Sequence, residues 1–184
     1  YKPKRRTKAQ IAREAGLEPL ALGLREDPTR VPEEFARGFV SAEKGVADVK
    51  AALDGARAIL MEQFSEDAAL VGELRDWLWQ RGQIRARVVK GKQNEGAKYR
   101  DYFDHAEPLK TIPSHRLLAL FRARNEGILD LELEPTAQPD QGHLEAEGRV
   151  AAHVGVAARG RAADAWLLDT CRQTWRIKLH LHLA

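Results

Sequence analysis

The chain has 184 residues, 31% charged and 43% hydrophobic, which excludes an intrinsically disordered tail and is long enough for a real core in one domain, with or without an appendage. Its net charge is +3, but Lys2, Lys4, Arg5, Arg6 and Lys8 alone supply +5, so the remainder sums to −2 and the basicity is local. Cys171 is the single cysteine, which excludes an internal disulfide or thiolate metal cluster; with no apolar run near the ~20 residues of a spanning helix, the expected location is the reducing cytoplasm.

Thr7-Lys8-Ala9-Gln10 has capping-box spacing and predicts a helix that stops near Gly16. Leu17, Leu20, Ala21 and Leu24 then recur at helical spacing, with Pro19 tolerable in a first turn, so two short helices meet at a glycine. The pair superficially resembles a helix-turn-helix. Its second helix, however, offers Leu20, Ala21, Leu22 and Leu24 where a recognition helix needs polar side chains aimed at base edges. After the loop around Asp27-Pro28 and Val31-Pro32, Val46, Val49, Leu53, Ala56, Leu60 and Phe64 form one helical stripe, with Lys50, Asp54, Arg57 and Glu62 lying off it. Ser65 reads as the N-cap of the next helix, followed by Glu66 and Asp67 at its positive end. Leu70, Leu74, Trp77 and Leu78 face inward, and Arg81-Gly82 ends it.

From Ile84 the period changes to two: Ile84, Ala86 and Val88 alternate with Arg85 and Arg87, as Leu129, Leu131 and Leu133 alternate with Asp130, Glu132 and Glu134. Outer faces of opposite charge predict that about 83–89 pairs with 128–134 in a two-stranded element. Between them lie an amphipathic segment around Ala97 to Asp104, the turn Glu107-Pro108, and a helix from Ser114, read as its cap, to about Asn125, closed by Gly127. Residues 135–148, with Pro139, Asp140 and Gly142, read as a flexible loop. Ala163, Trp166, Leu167, Thr170, Cys171 and Thr174 trace a helical face, whereas IKLHLHLA alternates with period two, so helix and strand both stay open over 177–184. The chain stops inside this patterned stretch without a terminating signal, as a piece of a larger protein would. The expected fold class is mainly α: one multi-helix region over 1–184 with a small two-stranded β element.

Asp101, Asp104 and His105 would share a face if helical, where a metal or an acid/base pair could form. With no second carboxylate cluster marked to converge on them, a solvated face is the stronger reading. His180 and His182 share a face only on a strand and lack a third ligand, and Cys171, with His115 or His153 distant in sequence, reads as a buried small hydrophobe. There is no GxGxxG, P-loop or HExxH, so no catalytic residue, metal, cofactor or small-molecule substrate is expected. Cations lie beside aromatics at Lys98, Tyr99, Arg100 and Tyr102, and again at Arg172, Trp175, Arg176 and Lys178. Such pairs grip single strands, but at helical spacing the aromatics more often belong to a core. The candidate nucleic-acid contacts are therefore Lys2, Lys4, Arg5, Arg6 and Lys8, which can neutralise phosphates, although a solvated linker is the stronger reading of the run.

The run KYRDYFDHAEPLKTIPSHRLLALFRARNEGIL, from Lys98 to Leu129, resembles the signature stretch of the bacterial Tex family of transcription accessory proteins. YKPKRRTKAQIAREAGLEPLA, AEKGVADVKAALDGARAILMEQF and GRAADAWL are similar to further family segments, so the resemblance covers nearly the whole chain and is weakest over Pro135 to Gly148. Ala123 follows Arg122 where the family usually has glycine, a departure compatible with a continuous helix. The resemblance implies a place in the helical half that precedes a nuclease-like fold of the RNase H type, helix-hairpin-helix elements and an OB-type barrel. It also implies similarity to a eukaryotic elongation factor, and partners of RNA or DNA through the full-length protein, with RNA polymerase or other transcription machinery. The expected function is a non-catalytic helical scaffold. The alternative is a protein-interaction module docking on the transcription machinery, which an exposed apolar patch would reveal, and a metal-dependent nuclease ranks last.

Overall fold

The computed structural model describes residues 7–136 and 138–180. They form two compact units, one from the chain up to Val71 together with Glu147 onward, the other from Gly72 to Ala146.

The first unit is organised around one helix. Thr7 Oγ1 accepts from Gln10 N at 3.1 Å and opens α1 (Lys8–Glu14), as the capping spacing predicts. Gly16, at φ 78°, turns the chain into α2 (Glu18–Glu26). Leu20, Ala21 and Leu24 of α2 are fully buried, which removes that face from any contact with base edges. A short α3 (Pro32–Ala36) leads to α4 (Val49–Ser65), capped by Asp48, whose Oδ1 accepts from Ala51 N at 2.8 Å. Most of the predicted stripe is buried: Leu53, Ala56, Leu60 and Phe64 pack inward together with Ala52, Ile59 and Met61, where α4 contacts α1, α2 and α3, and Val46 is buried just before the helix, while Val49 is half-buried. Burial of bulky side chains at about 1.5–3 kcal/mol each makes this face the main source of the unit's stability. From the far end of the sequence, α8 (Asp164–Gln173) and its π-helical continuation Thr174–Leu179 also pack on α4, burying Leu167, Cys171, Trp175 and Leu179. The undecided terminus is thus helical through His180; residues 181–184 lie outside the described residues.

The next helix, α5 (Ala68–Arg81), is capped two residues later than expected: Leu70 N donates to Asp67 Oδ1 at 3.1 Å, while Ser65 still belongs to α4. Its C-terminal part enters the second unit and leads into β1 (Gln83–Val88). That strand pairs with β3 (Leu129–Glu134) as expected; the pairing is antiparallel, with Arg85 opposite Glu132 and Arg87 opposite Asp130. The sheet has three strands, not two. β2 (Asp104–Pro108) takes the other edge of β1, giving the order β2-β1-β3. The Arg85 guanidinium bonds Glu134 of β3 and stands 3.5 Å from Asp104 of β2, so a single cation ties all three strands. Helix α6 (Ser114–Asn125) matches its predicted bounds, although Pro113 and not Ser114 occupies the cap position; its Leu120 and Ala123 join Ile84, Ala86, Tyr99, Ile128 and Leu129 in one core.

The expected loop over 135–148 is helix from Pro139: α7 spans Pro139–Val154. Pro139 takes the first helical position, where its missing N–H and fixed φ are no handicap, and Asp140 suits the positive end of the helix dipole.

Candidate nucleic-acid interface

Lys2, Lys4, Arg5 and Arg6 lie outside the described residues; Lys8 is exposed at the start of α1. The fold brings Lys8 to a groove of about 570 Å³ on the flank of α4, lined also by Asp54, Arg57, Met61 and Glu62 and, from the other end of the sequence, by Gln173, Ile177 and Lys178. The two lysines are exposed and come from different elements, Lys8 from α1 and Lys178 from the helix after α8, where its neighbour Ile177 is half exposed.

Asp54 is an exposed carboxylate of the groove that pulls on Arg57 by charge alone, whereas Arg13, Glu62 and Arg57 hold the helices together. Arg13 of α1 bonds Glu62 of α4. Arg57 of α4 donates from Nε to Thr170 Oγ1 at 3.0 Å and from Nη2 to Trp166 O at 3.4 Å, pairs with Asp169 at 3.2 Å, and lies over the Trp166 ring at 5.1 Å. Burial pulls the Arg57 guanidinium below its ordinary value against the opposing pull of Asp169 and Asp54. Burial likewise pushes on the Asp169 carboxyl, yet bonds from Arg172 and Gln173 and the charge of Arg57 hold it below the usual range. Arg57 is thus a structural clamp, and the groove leaves Lys8 and Lys178 as its outward cations.

The remaining expectations separate cleanly. Asp101, Asp104 and His105 do not share a face: Asp101 sits in a 3-10 turn (Ala97–Tyr102), and Asp104 and His105 are successive residues of β2 that point to opposite sides of the sheet. His105 instead joins Glu107 at 2.8 Å, and Glu107 also accepts from Arg116 of α6 at 2.7 Å. The Arg116 bond, with His105 assisting against burial, holds the Glu107 carboxyl below its ordinary value. Tyr99 is buried and Lys98 lies over its ring at 5.1 Å, so that pair belongs to the core and its rim. Trp175 is fully buried, while Arg172 and Arg176 are paired with Asp169 and Glu147. Cys171 is buried too, and burial pushes its thiol up to about 12. His153 bonds Asp67 at 3.2 Å. His180 stacks obliquely on Trp175 at 5.2 Å, and His182 lies outside the described residues. Among the described residues, no three His, Cys, Asp or Glu side chains gather as metal ligands, and no helix is long and apolar enough to cross a membrane.

Sequence reasoning missed the clamp and the placing of Lys8 and Lys178 on one groove because both bring together residues more than 100 positions apart. The one available signal was Arg57 beside the apolar stripe of α4, which placed it next to whatever covered that stripe.

Fold and site together define a mainly helical region with a small antiparallel sheet and charge-clamped helices. A family described as "Tex central region-like" matches residues 27–184. The chain is similar to protein YhgF of Escherichia coli (55% identity over 185 residues) and to the transcriptional accessory protein Tex of Neisseria gonorrhoeae (50% over 185 residues), each match covering 100% of this chain. The protein tex of Bordetella pertussis is 46% identical over 190 residues, covering 97% of this chain. The chain belongs to the Tex family. It spans about a quarter of the length of these relatives, 24%, 24% and 23% respectively.

Proposed function

We propose that this chain is a non-catalytic helical scaffold of a Tex-like, cytoplasmic transcription accessory protein that positions nucleic-acid-binding parts of the longer polypeptide and adds weak phosphate contacts of its own. The observation that carries this reading is the double clamp on α4. Arg13–Glu62 fixes α1 and Arg57–Asp169 fixes α8 to the same helix, although α1 and α8 come from opposite ends of the sequence. A region whose two ends are locked to one another transmits a fixed geometry to what it joins. The same locking sets Lys8 and Lys178 on one groove, where a phosphate backbone meets two cations on a rigid support.

The test is fluorescence-anisotropy binding of the chain to single-stranded RNA and to duplex DNA across a salt series, with a Lys4, Arg5, Arg6 to Ala triple variant and a K8A/K178A variant alongside. Weak binding that falls steeply with salt and weakens in both variants is expected. Salt-insensitive tight binding, or metal-dependent cleavage of either substrate, would sink the scaffold reading.

A further inference from the structure

The second unit carries an open, mostly apolar groove of about 270 Å³ between α5, α6 and the outer edge of β3. That is below the ~300–1,000 Å³ of small-molecule sites and suits the anchoring side chains of a short segment. Trp79 of α5, 53% exposed, forms one wall, and Phe121 and Leu131 form the facing one. An exposed tryptophan at an apolar groove is the residue type that dominates binding energy at interfaces.

Charge around the rim says what fits. Arg75 and Arg124 line it from α5 and α6, both exposed and neither in an ion pair among the described residues; the Arg124 guanidinium rests over the Phe121 ring at 5.0 Å. Glu132 is the one carboxylate among the lining residues; it sits opposite Arg85 in the β1–β3 register and adds to the field on that guanidinium, so the rim carries two exposed cations to one anion. The outer edge of β3 is free in the order β2-β1-β3, but Asp130 and Glu132 are exposed there. Charged edges discourage strand addition, and acidic ones discourage an acidic strand most.

We propose that this groove docks a short amphipathic helix of a partner protein, with its apolar side chains against Trp79 and Phe121 and its carboxylates on Arg75 and Arg124. The mode is helix-in-groove recognition with acidic flanks. It is independent of the phosphate contacts proposed for the first unit, and loss of either leaves the other standing.

The experiment titrates the 184-residue chain into fluorescent peptides of about 14 residues, roughly four helical turns. One carries leucines at i, i+4 spacing flanked by glutamates, one carries lysine at each glutamate position, and one is the acidic peptide with a central proline. The acidic peptide is expected to bind at least about tenfold more tightly than either of the others. W79A and the surface double variant R75E/R124E should each weaken it about tenfold with unchanged circular dichroism, and the double variant should now prefer the lysine peptide. Equal binding of the acidic and lysine peptides overturns the proposal, as does full binding by the proline peptide, which indicates an extended occupant. No binding of the acidic peptide at ~1 mM overturns it too. So does a concentration-dependent dimer that W79A dissolves, because the groove is then filled by a second copy.

Discussion

Gly55 sits in the middle of α4, where glycine is intrinsically a poor choice: Gly55→Ala should gain about 1 kcal/mol from helix propensity alone. The packing reverses the sign. A Cβ on Gly55 would overlap Leu17 Cδ1 and stand 3.2 Å from Ala12 Cβ. Leu17 and Ala12 are 3% and 4% exposed, and Leu17 N bonds Ala12 O at 3.1 Å across the turn between α1 and α2, so neither can swing away without lifting that corner. Overpacking of this kind costs about 2–3 kcal/mol, leaving a net loss of about 1–2 kcal/mol. Gly148, in α7 of the same unit, has nothing within 4 Å of its added Cβ, so Gly148→Ala should instead stabilise by about 0.5–1 kcal/mol. Urea titrations followed by circular dichroism separate the two. With a slope of about 2 kcal/mol per molar, the midpoint falls by about 0.5–1 M in G55A and rises by about 0.3–0.5 M in G148A. A G55A midpoint that rises like that of G148A would refute the close seating of the α1–α2 corner on α4.

Arg57→Ala should expose the amides of α8 to faster hydrogen exchange and cost about 2 kcal/mol, with Arg57→Lys recovering less than half, because only the guanidinium reaches Thr170 and Asp169 together; protection equal to the parent chain in R57A would refute the clamp. Cys171, its thiol pushed up to about 12 by burial, should resist a thiol reagent at pH 8 until urea unfolds the chain. Because the folded state keeps that proton after the unfolded thiol has lost it, at about 8.5, this group's contribution to stability falls as pH rises between the two. Glu107, held below its ordinary 4.5 by Arg116 and then His105, contributes stability that is present above that value and is lost as pH falls through the lower folded one. Glu107→Gln should flatten that acid limb in a series of thermal melts from pH 6 to 2, and an unchanged limb would remove the cluster from the explanation of acid stability.

What was legible in the sequence was what local periodicity carries. The stripe from Leu53 to Phe64 is buried as read, and the basic and acidic alternations of β1 and β3 pair as expected. What failed was reading residue type without its partner. β2 is DHAEP, a composition that strands avoid, and it pairs because β1 offers an edge and because Arg116 of α6 donates to Glu107. Gly142 looked like a helix breaker, yet it lies inside α7 and is small for another reason: an added Cβ would stand 2.8 Å from Thr136 Oγ1 and 2.9 Å from Pro135 Cβ, where the preceding chain crosses the helix. A glycine demanded by close approach and a glycine demanded by a turn are the same letter, so only the fold distinguishes them.

The candidate sites were less legible than the fold for a related reason. Cations were read by local company, and company along the chain is not company in space. Arg172 and Arg176 stood beside Trp175 in sequence, but folding hands them to Asp169 and Glu147 while the indole goes to the core. Lys8 and Lys178, which no sequence window contains together, end on one groove. Arg75, Trp79 and Arg124 drew no attention at all, because a lone exposed tryptophan and two unremarkable arginines become a docking surface only when α5 and α6 set them around the same apolar cleft. A charge left without an internal partner after folding is the one able to reach outward, and that property is fixed by tertiary pairing, not by composition. This is why the proposed phosphate contacts and the helix-docking groove rest on four cations that the sequence scattered over four separate stretches.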